Sequence, residues 1–221
     1  MDENSYATKC ECASLQLSKS IVELAGIKSD DIGKSFKNFK QTKFENINRA
    51  KENAIQYVKD FKDIEKKRFN SICFVGVMEG NEKKGVGTGK THLAIAITNN
   101  LLHKGVAVKY FSYREEITKI KQTITDHETY QRELNKWKNA RVLFIDDLFK
   151  GKITDSDVNI MFEIVNHRYL NKLPIIATTE LDLYGLDSID QAITSRLYEM
   201  SEGFFNEMGG NNANFRYQQD H

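Results

Sequence analysis

The segment GVGTGKT, residues 85–91, combines three glycines with a lysine and two threonines. Glycines let backbone N–H groups close around phosphate oxygens, and a helix that begins at such a loop adds the positive end of its dipole. Lys90 would then reach the outer phosphates of a nucleotide, and the Thr91 hydroxyl would help to hold Mg²⁺. The segment predicts a phosphate-binding loop, and the alternative is a glycine-rich turn that merely resembles one. The predicted binding residues are Gly85, Gly87, Thr88, Gly89, Lys90 and Thr91.

The spacing of this loop departs from the strict pattern G-x-x-x-x-G-K-[ST], which places a glycine where this chain has Lys84. Gly76, at the end of the preceding apolar segment, takes the place of the first glycine. Residues 78–86 are therefore interpreted as an insertion. We expect a solvent-exposed flap there, and the alternative is a segment that contacts a partner.

A second candidate motif is VLFIDD, residues 142–147, in which two acids follow an apolar run. A generic buried strand explains the apolar residues but not the two adjacent carboxylates. Asp146 is placed to hold Mg²⁺ together with Thr91, and Asp147 could orient an attacking water. One predicted strand lies between the two motifs, which favours an ATPase of the additional-strand type over a nucleotide kinase.

These motifs lie in a pattern of apolar runs that alternate with helical segments, which indicates parallel β-α units with helices on both faces. The predicted strands cover residues 71–77, 106–112, 141–146 and 173–178. The predicted helices cover residues 47–62, 91–102, 113–138, 155–170 and 189–199. The Asn/Gly-rich segment GGNNANF near the end is predicted to be weakly ordered.

Composition limits the class of protein. The chain has 221 residues, a formal net charge of +1 and 40% hydrophobic residues, which fits one globular domain with a short appendage. This balance excludes an acidic tail or a histone-like protein, although a local basic patch remains compatible with it. With few cysteines, no apolar stretch near 20 residues and no signal-like start, we expect a reduced cytoplasmic protein.

The order of GVGTGKTHLAIAI, VLFIDD, IIATTELDL and TSRLYEM resembles the AAA+ ATPases of the DnaC/DnaI helicase-loader group, notably their phage and prophage members. The similarity runs over roughly residues 36–216. It does not separate helicase loaders from the related IstB transposition ATPases. The resemblance implies a P-loop NTPase (AAA+) domain in residues 36–221, of α/β class, with a five-stranded, mostly parallel sheet flanked by helices. A short helical N-terminal arm, residues 1–35, would precede it and bind a partner.

Position by position, the resemblance implies that Lys90 and Thr91 bind phosphate and Mg²⁺ and that Asp146 and Asp147 form the acidic pair. Many AAA+ proteins have glutamate where this chain has Asp147. Because a shorter carboxylate holds the water less closely, we expect slow intrinsic hydrolysis.

The resemblance also implies three further site residues. Thr179 falls in the first sensor region, where the family often has asparagine one place later and this chain has Glu180. Arg196 matches the arginine finger that acts on the nucleotide of a neighbouring subunit, and the alternative is a helix-surface arginine in an ordinary ion pair. Arg216 resembles a second arginine sensor.

The function implied by the resemblance is ATP·Mg²⁺ binding and hydrolysis that help to load a hexameric replicative helicase onto single-stranded DNA, in a homo-oligomer. The alternatives are an IstB-like ATPase that serves a transposase and a nucleotide-gated helicase adaptor with little hydrolysis. A P-loop metabolite kinase is disfavoured because the sequence lacks an arginine-rich lid.

Basic and cysteine residues near the start leave further alternatives open. Cys10 and Cys12 supply two possible thiolates where a closed zinc site needs four ligands, so we expect no such site. Four lysines alternate with phenylalanines in residues 34–44 and could track a phosphate backbone, or form a solvated face over buried rings. Phe39 could instead pack near the adenine.

Overall fold

Five parallel strands form the central sheet of the computed structural model, which describes residues 25–27, 31–79 and 82–217. They are β1 (Ile72–Val75), β4 (Val108–Ser112), β5 (Val142–Asp146), β6 (Ile175–Thr178) and β7 (Phe205–Glu207). Two short strands, β2 (Met78–Glu79) and β3 (Glu82–Lys83), pair as a separate antiparallel hairpin. The predicted α/β class and five-stranded parallel sheet are confirmed.

The strand order is β4-β5-β6-β1-β7, so β6 lies between β1 and β5. Ile176 of β6 is in register with Ile72 of β1, and Ile175 is in register with Leu143 of β5. One strand, β6, thus separates the strand before the phosphate loop from the strand that ends in the acidic pair, whereas β4, which lies between the two motifs in the chain, is at the edge of the sheet. Because the carboxyl ends of parallel strands meet at one edge of a sheet, both motifs lie at the same edge.

Helices cover both faces of this sheet. Their bounds are α1 (Glu45–Ile64), α2 (Lys90–His103), α3 (Tyr113–Gln122), α4 (His127–Lys138), α5 (Asp155–Leu170), α6 (Leu183–Ile189) and α7 (Gln191–Met200). The single helix predicted for residues 113–138 is two, because Asp126 starts α4 by accepting a hydrogen bond from Thr129 N at 3.2 Å. Asp190 likewise starts α7 by accepting from Ile193 N at 2.7 Å.

The core has two layers, one on each face of the sheet. Ile72 and Phe74 of β1 belong to the layer that contains α1 and α2, whereas Cys73 and Val75 belong to the layer that contains α5 and α7. Burial raises the pKa of the Cys73 thiol to about 12, so this cysteine is an inert packing residue. No helix in the described ranges is long and apolar enough to span a bilayer.

The segment after α7 differs from the sequence prediction. Strand β7 pairs in parallel with β1, and Met208 N then donates to Val75 O at 2.9 Å. Within GGNNANF, residues 209–215, Ala213 is buried and Gly210 N donates to Lys84 O at 3.1 Å, so the expectation of a weakly ordered segment is wrong. The sequence has no apolar run in this segment. Backbone hydrogen bonds and the burial of a few residues hold it in place, and neither leaves a hydrophobic pattern.

Most of the predicted arm, including Cys10 and Cys12, lies outside the described residues. Ala25 and Ile27 are described and buried, and Ala25 O accepts a hydrogen bond from Tyr110 N of β4 at 2.9 Å. The end of the predicted arm therefore packs on the edge of the sheet. The boundary at residue 35 stays a prediction.

Arg168 of α5 is fully buried and ties two connections together. Its guanidinium donates to the carbonyls of Trp137, Ala140 and Pro174 at 2.9, 2.8 and 2.7 Å. These bonds join the end of α4 to the entries of β5 and β6. Burial lowers the pKa of Arg168 to about 9, which shows how far the charge is removed from water.

Replacing Arg168 with methionine should lower the free energy of unfolding by about 3 kcal/mol, because it leaves three buried carbonyls without their donor. Urea unfolding followed by circular dichroism measures this. Arg141→Met is the control, because Arg141 pairs with Glu65 at the surface and should cost less than about 1 kcal/mol. Equal losses for the two variants would contradict the assignment.

Candidate functional site

The phosphate loop is a compact turn between the β2–β3 hairpin and α2. Gly87 and Gly89 have φ of 70° and 89°, a left-handed conformation that glycine adopts without strain. Lys90, the first residue of α2, is buried, and its Nζ donates to Gly85 O. The loop thus presents a helix start and a buried ammonium in one place, as a phosphate site requires.

The inserted hairpin closes on itself before this loop begins. Lys84 N donates to Val77 O at 2.8 Å, and a Cβ placed on Gly85 would lie 2.5 Å from Gly76 Cα. Gly76 and Gly85 are therefore neighbours in space although eight residues separate them in sequence. This arrangement explains how the chain departs from the strict spacing and still builds the loop.

Asp146, at the end of β5, is the most heavily bonded carboxylate of the site. Its Oδ1 accepts from Thr91 Oγ1 at 2.9 Å and from Thr178 Oγ1 at 2.6 Å, and its Oδ2 accepts from Tyr110 OH at 3.0 Å. Burial raises the pKa of Asp146, and the hydroxyl donors partly offset this. A nearby cation would stabilise the ionised form.

The pair of Thr91 and Asp146 suits Mg²⁺. Both offer hard oxygen ligands, and Mg²⁺ typically takes one or two protein oxygens together with phosphates and water. The described residues contain no cluster of three or more His, Cys, Asp or Glu that would form an all-protein cage. The donor set therefore fits a nucleotide-bound Mg²⁺ better than a resident structural metal.

Asp147 follows in a left-handed conformation, with φ of 58°. Its N–H donates to Thr178 Oγ1 at 2.9 Å, so one threonine of β6 contacts both acids. The Asp147 carboxylate accepts from Lys150 Nζ at 2.8 Å, and the same ammonium lies 3.0 Å from Glu180 Oε1.

These groups line one cleft of about 250 Å³. Its walls include Gly87, Lys90 and Thr91 on one side, and Asp147, Lys150, Glu180 and Arg216 on the others. A larger cleft of about 790 Å³ lies at the β7 edge, lined by residues such as Asn53 and Tyr198. It contains none of the phosphate-loop residues. The smaller cleft is therefore the candidate nucleotide site because of the residues that line it, although its volume is smaller.

Asn214 and Phe215, beside the predicted Arg216, also contribute to this part of the molecule, although the sequence pattern did not indicate these two residues. Phe215 N donates to Gly87 O at 3.1 Å, and a Cβ on Gly87 would meet the Asn214 side chain at 1.9 Å. The Phe215 ring packs edge-on against Phe39 with centroids 6.0 Å apart, and Phe39 in turn borders Gly89. Two distant segments thus form an aromatic wall beside the loop, where Phe39 was one predicted candidate for an adenine contact.

The three residues taken from the resemblance lie in different settings. Arg216 lines the cleft. Thr179 is buried and its hydroxyl donates to Leu148 O at 2.8 Å, so the structure uses Thr179 to hold the loop after β5 and brings Thr178 to the acids instead. Glu180, which sequence reasoning treated as a departure, is the residue that reaches the cleft.

Arg196 lies on α7, outside this cleft. Its Nε donates to Asn166 Oδ1 at 3.0 Å, and its guanidinium stacks near Phe162 and Tyr169, 5.3 and 5.5 Å from the ring centroids. A finger that acts on a neighbouring subunit is expected to lie away from its own nucleotide. That role stays a prediction.

Comparison with known proteins adds the family. A family model described as IstB-like ATP binding protein matches residues 35–199, more than half of the chain. The chain belongs to this family. XkdC of the phage-like element PBSX of Bacillus subtilis (strain 168) is 36% identical over 89% of the chain and 73% of its own length. YqaM of the same organism is 33% identical over 91% of the chain, and the chain spans 63% of its length.

This IstB-like ATP-binding protein also resembles helicase loaders. The replicative helicase loader DnaC of Escherichia coli (strain K12) is 32% identical over 63% of the chain and 52% of its own length. A solved DnaC helicase loader shares the fold with a TM-score of 0.64 at 22% identity, covering 82% of this chain and 99% of that chain. The replication initiator DnaA, solved with AMPPCP and single-stranded DNA, also has a TM-score of 0.64, at 23% identity over 82% of this chain and 51% of that chain. The predicted DnaC-like AAA+ fold is confirmed.

The burial of Lys90 in the candidate site affects the stability of the folded protein. Burial lowers the pKa of Lys90 from 10.5 to about 8, because the ammonium loses water. Below pH 8 the folded protein must keep a buried charge that the unfolded chain carries at less cost. The destabilisation is therefore largest below the folded pKa and disappears as the pH rises from about 8 to 10.5.

Lys90→Met should consequently raise the free energy of unfolding, by up to about 3 kcal/mol at pH 7, in protein without nucleotide. The gain should shrink towards pH 10, because the wild-type lysine is then neutral. Thermal and urea unfolding at the two pH values measure it, with exposed Lys152→Met as the control. A gain that does not change with pH would contradict the buried-charge explanation.

Proposed function

We propose that this protein binds ATP with Mg²⁺ and hydrolyses it slowly to ADP and phosphate. The observation that carries the proposal is the 2.9 Å contact between Thr91 Oγ1 and Asp146 Oδ1 beside the buried ammonium of Lys90. A hydroxyl, a carboxylate and a cation at a helix start are the parts that P-loop NTPases use. Membership of an ATP-binding family supports the same assignment.

The residues of the site have separate proposed roles in binding phosphate, holding Mg²⁺ and orienting water. Backbone N–H groups of residues 87–91 and Lys90 would hold the phosphates, while Thr91 and Asp146 would hold Mg²⁺, which neutralises charge on the phosphoryl group. Asp147 would orient water for in-line attack and accept its proton. Since Asp147 is shorter than glutamate and is paired with Lys150, we expect its activation of water to be weak.

We further propose that the protein helps to load a hexameric replicative helicase onto single-stranded DNA. Support comes from the similarity to the replicative helicase loader DnaC, which is 32% identical over 63% of the chain. In a homo-oligomer, Arg196 would reach the nucleotide of the adjacent subunit. Its stacking on two rings favours a preorganised guanidinium, because less rotamer freedom is lost when it binds phosphate.

A second candidate is an ATPase that assists a transposase, which the name of the matching family favours. A nucleotide-gated adaptor with little hydrolysis is a variant of the helicase proposal and is favoured by the pairing of Asp147 with Lys150. These functions differ in the partner and in turnover, so one set of assays separates them.

The test is a pull-down of the source organism's replicative helicase, with and without ATP·Mg²⁺, alongside an ATPase assay. Wild type should retain the helicase in a nucleotide-dependent way, and Lys90→Ala should lose that dependence and ATP binding. Arg196→Ala should keep ATP binding but lose about 10³-fold in the hydrolysis rate of the assembled complex. The control is Arg141→Ala, which changes a surface ion pair.

Failure to recover helicase in either nucleotide state would remove the loading proposal, and recovery of a transposase would favour the second candidate. Helicase binding without hydrolysis in the complete assembly would indicate the adaptor.

A further inference from the structure

Lys150 holds two carboxylates together at the mouth of the cleft. Its Nζ lies 2.8 Å from Asp147 Oδ2 and 3.0 Å from Glu180 Oε1. The Lys150 and Asp147 side chains are 37% and 36% exposed and that of Glu180 is 21% exposed, so the bridge is partly screened from water. Lys150 is absent from the motifs that define the phosphate site by sequence.

The backbone fixes this lysine in place. Asp147 and Phe149 both have φ of 58°, a left-handed conformation that costs free energy for residues other than glycine. The turn persists because Leu148 N donates to Thr178 O at 2.8 Å and Leu148 O accepts from Thr179 Oγ1 at 2.8 Å. Strained residues held by surrounding hydrogen bonds are typical of functional loops. The turn therefore restricts the position of Lys150, a restriction that most surface lysines lack.

The charges around the cleft explain what such a placement does. Asp146, Asp147 and Glu180 contribute three carboxylates, and each of them acts electrostatically on Lys90. A nucleoside triphosphate would add up to about four more negative charges to this cleft. Burial acts to lower the pKa of Lys150, but the hydrogen bonds that its ammonium donates to Asp147 and Glu180 raise the pKa overall, so the ammonium stays charged.

We propose that Lys150 is a positioning residue that neutralises Asp147 and Glu180 next to the terminal phosphate, and that it thereby gives the site its preference for ATP over ADP. This inference rests on the proposed ATP-binding function. The loop backbone would surround the inner phosphates and Lys90 would reach the outer ones, whereas the bridge lies just after the ends of β5 and β6, beside the place of the outermost phosphate. Removing Lys150 would leave two carboxylates facing that phosphate, and like charges at short range repel strongly in a partly buried site.

The experiment measures ATP and ADP binding to the full chain by calorimetry with Mg²⁺, for wild type and Lys150→Ala. ATP affinity should fall about tenfold and ADP affinity less than about twofold. Glu180→Gln in the Lys150→Ala background should restore most of the ATP affinity, because it removes one of the two carboxylate charges that Lys150 neutralises. Lys150→Arg should stay near wild type, and Lys152→Ala, an exposed lysine two residues away, is the matched control.

The outcomes separate this inference from the function beneath it. Equal weakening of ATP and ADP, or no rescue by Glu180→Gln, would overturn the role of Lys150 and indicate that it only holds two loops together. Wild type that binds both nucleotides through Lys90, with an unchanged ATP/ADP ratio in Lys150→Ala, would overturn this inference alone. Wild type that binds neither nucleotide would overturn the proposed function as well.

Discussion

One buried carboxylate organises the site. Asp146 accepts hydroxyl hydrogen bonds from three different elements: Thr91 of α2, Thr178 of β6 and Tyr110 of β4. These residues meet because β4, β5 and β6 are adjacent parallel strands whose carboxyl ends share one edge with the start of α2. An ionised carboxylate in this position needs its donors, so the strand order and the phosphate loop are energetically linked through a single side chain.

The site carries costs that the rest of the fold must offset. Lys90 and Asp146 are both buried. Burial lowers the pKa of Lys90 and raises the pKa of Asp146, so it favours the neutral form of each. Asp147 and Phe149 adopt left-handed conformations in a turn whose Asp147 and Leu148 N–H groups donate to Thr178 at the end of β6. The two apolar layers on either face of the sheet supply the stabilisation that permits this, because they bury nearly all of β1, β5 and β6. Function and stability oppose each other at this edge of the sheet.

Features of the fold that depend on local pattern could be predicted from the sequence, and features that depend on lateral contacts could not. The apolar strands were predictable because strands buried on both faces form continuous apolar runs, and α5 was predictable because its buried apolar residues recur at helical spacing. Strand β7 has three residues and pairs through its backbone, so it leaves no periodic pattern. Thr178 and Tyr110 belong to the site only because their strands flank β5, and the approach of Phe215 to Gly87 joins segments far apart in the chain. Of the two adjacent threonines at this strand end, it is Thr178 that contacts the acids, which position-by-position comparison of motifs does not indicate.

The net charge of +1 is a sum in which acidic and basic side chains meet at the candidate site. Around the cleft, acids on the strand ends face Lys90, Lys150 and Arg216, so neither sign dominates until a ligand arrives. A polyanion entering this space competes with Asp147 and Glu180 for Lys150, and the free energy of its binding depends on how that competition resolves. Any carboxylate released from Lys150 gains freedom to orient water, whereas a carboxylate that stays paired does not. In the proposed function, nucleotide binding and the ability of Asp147 to orient water would therefore be coupled through the same ammonium, and a charge supplied by a neighbouring subunit would act on both at once.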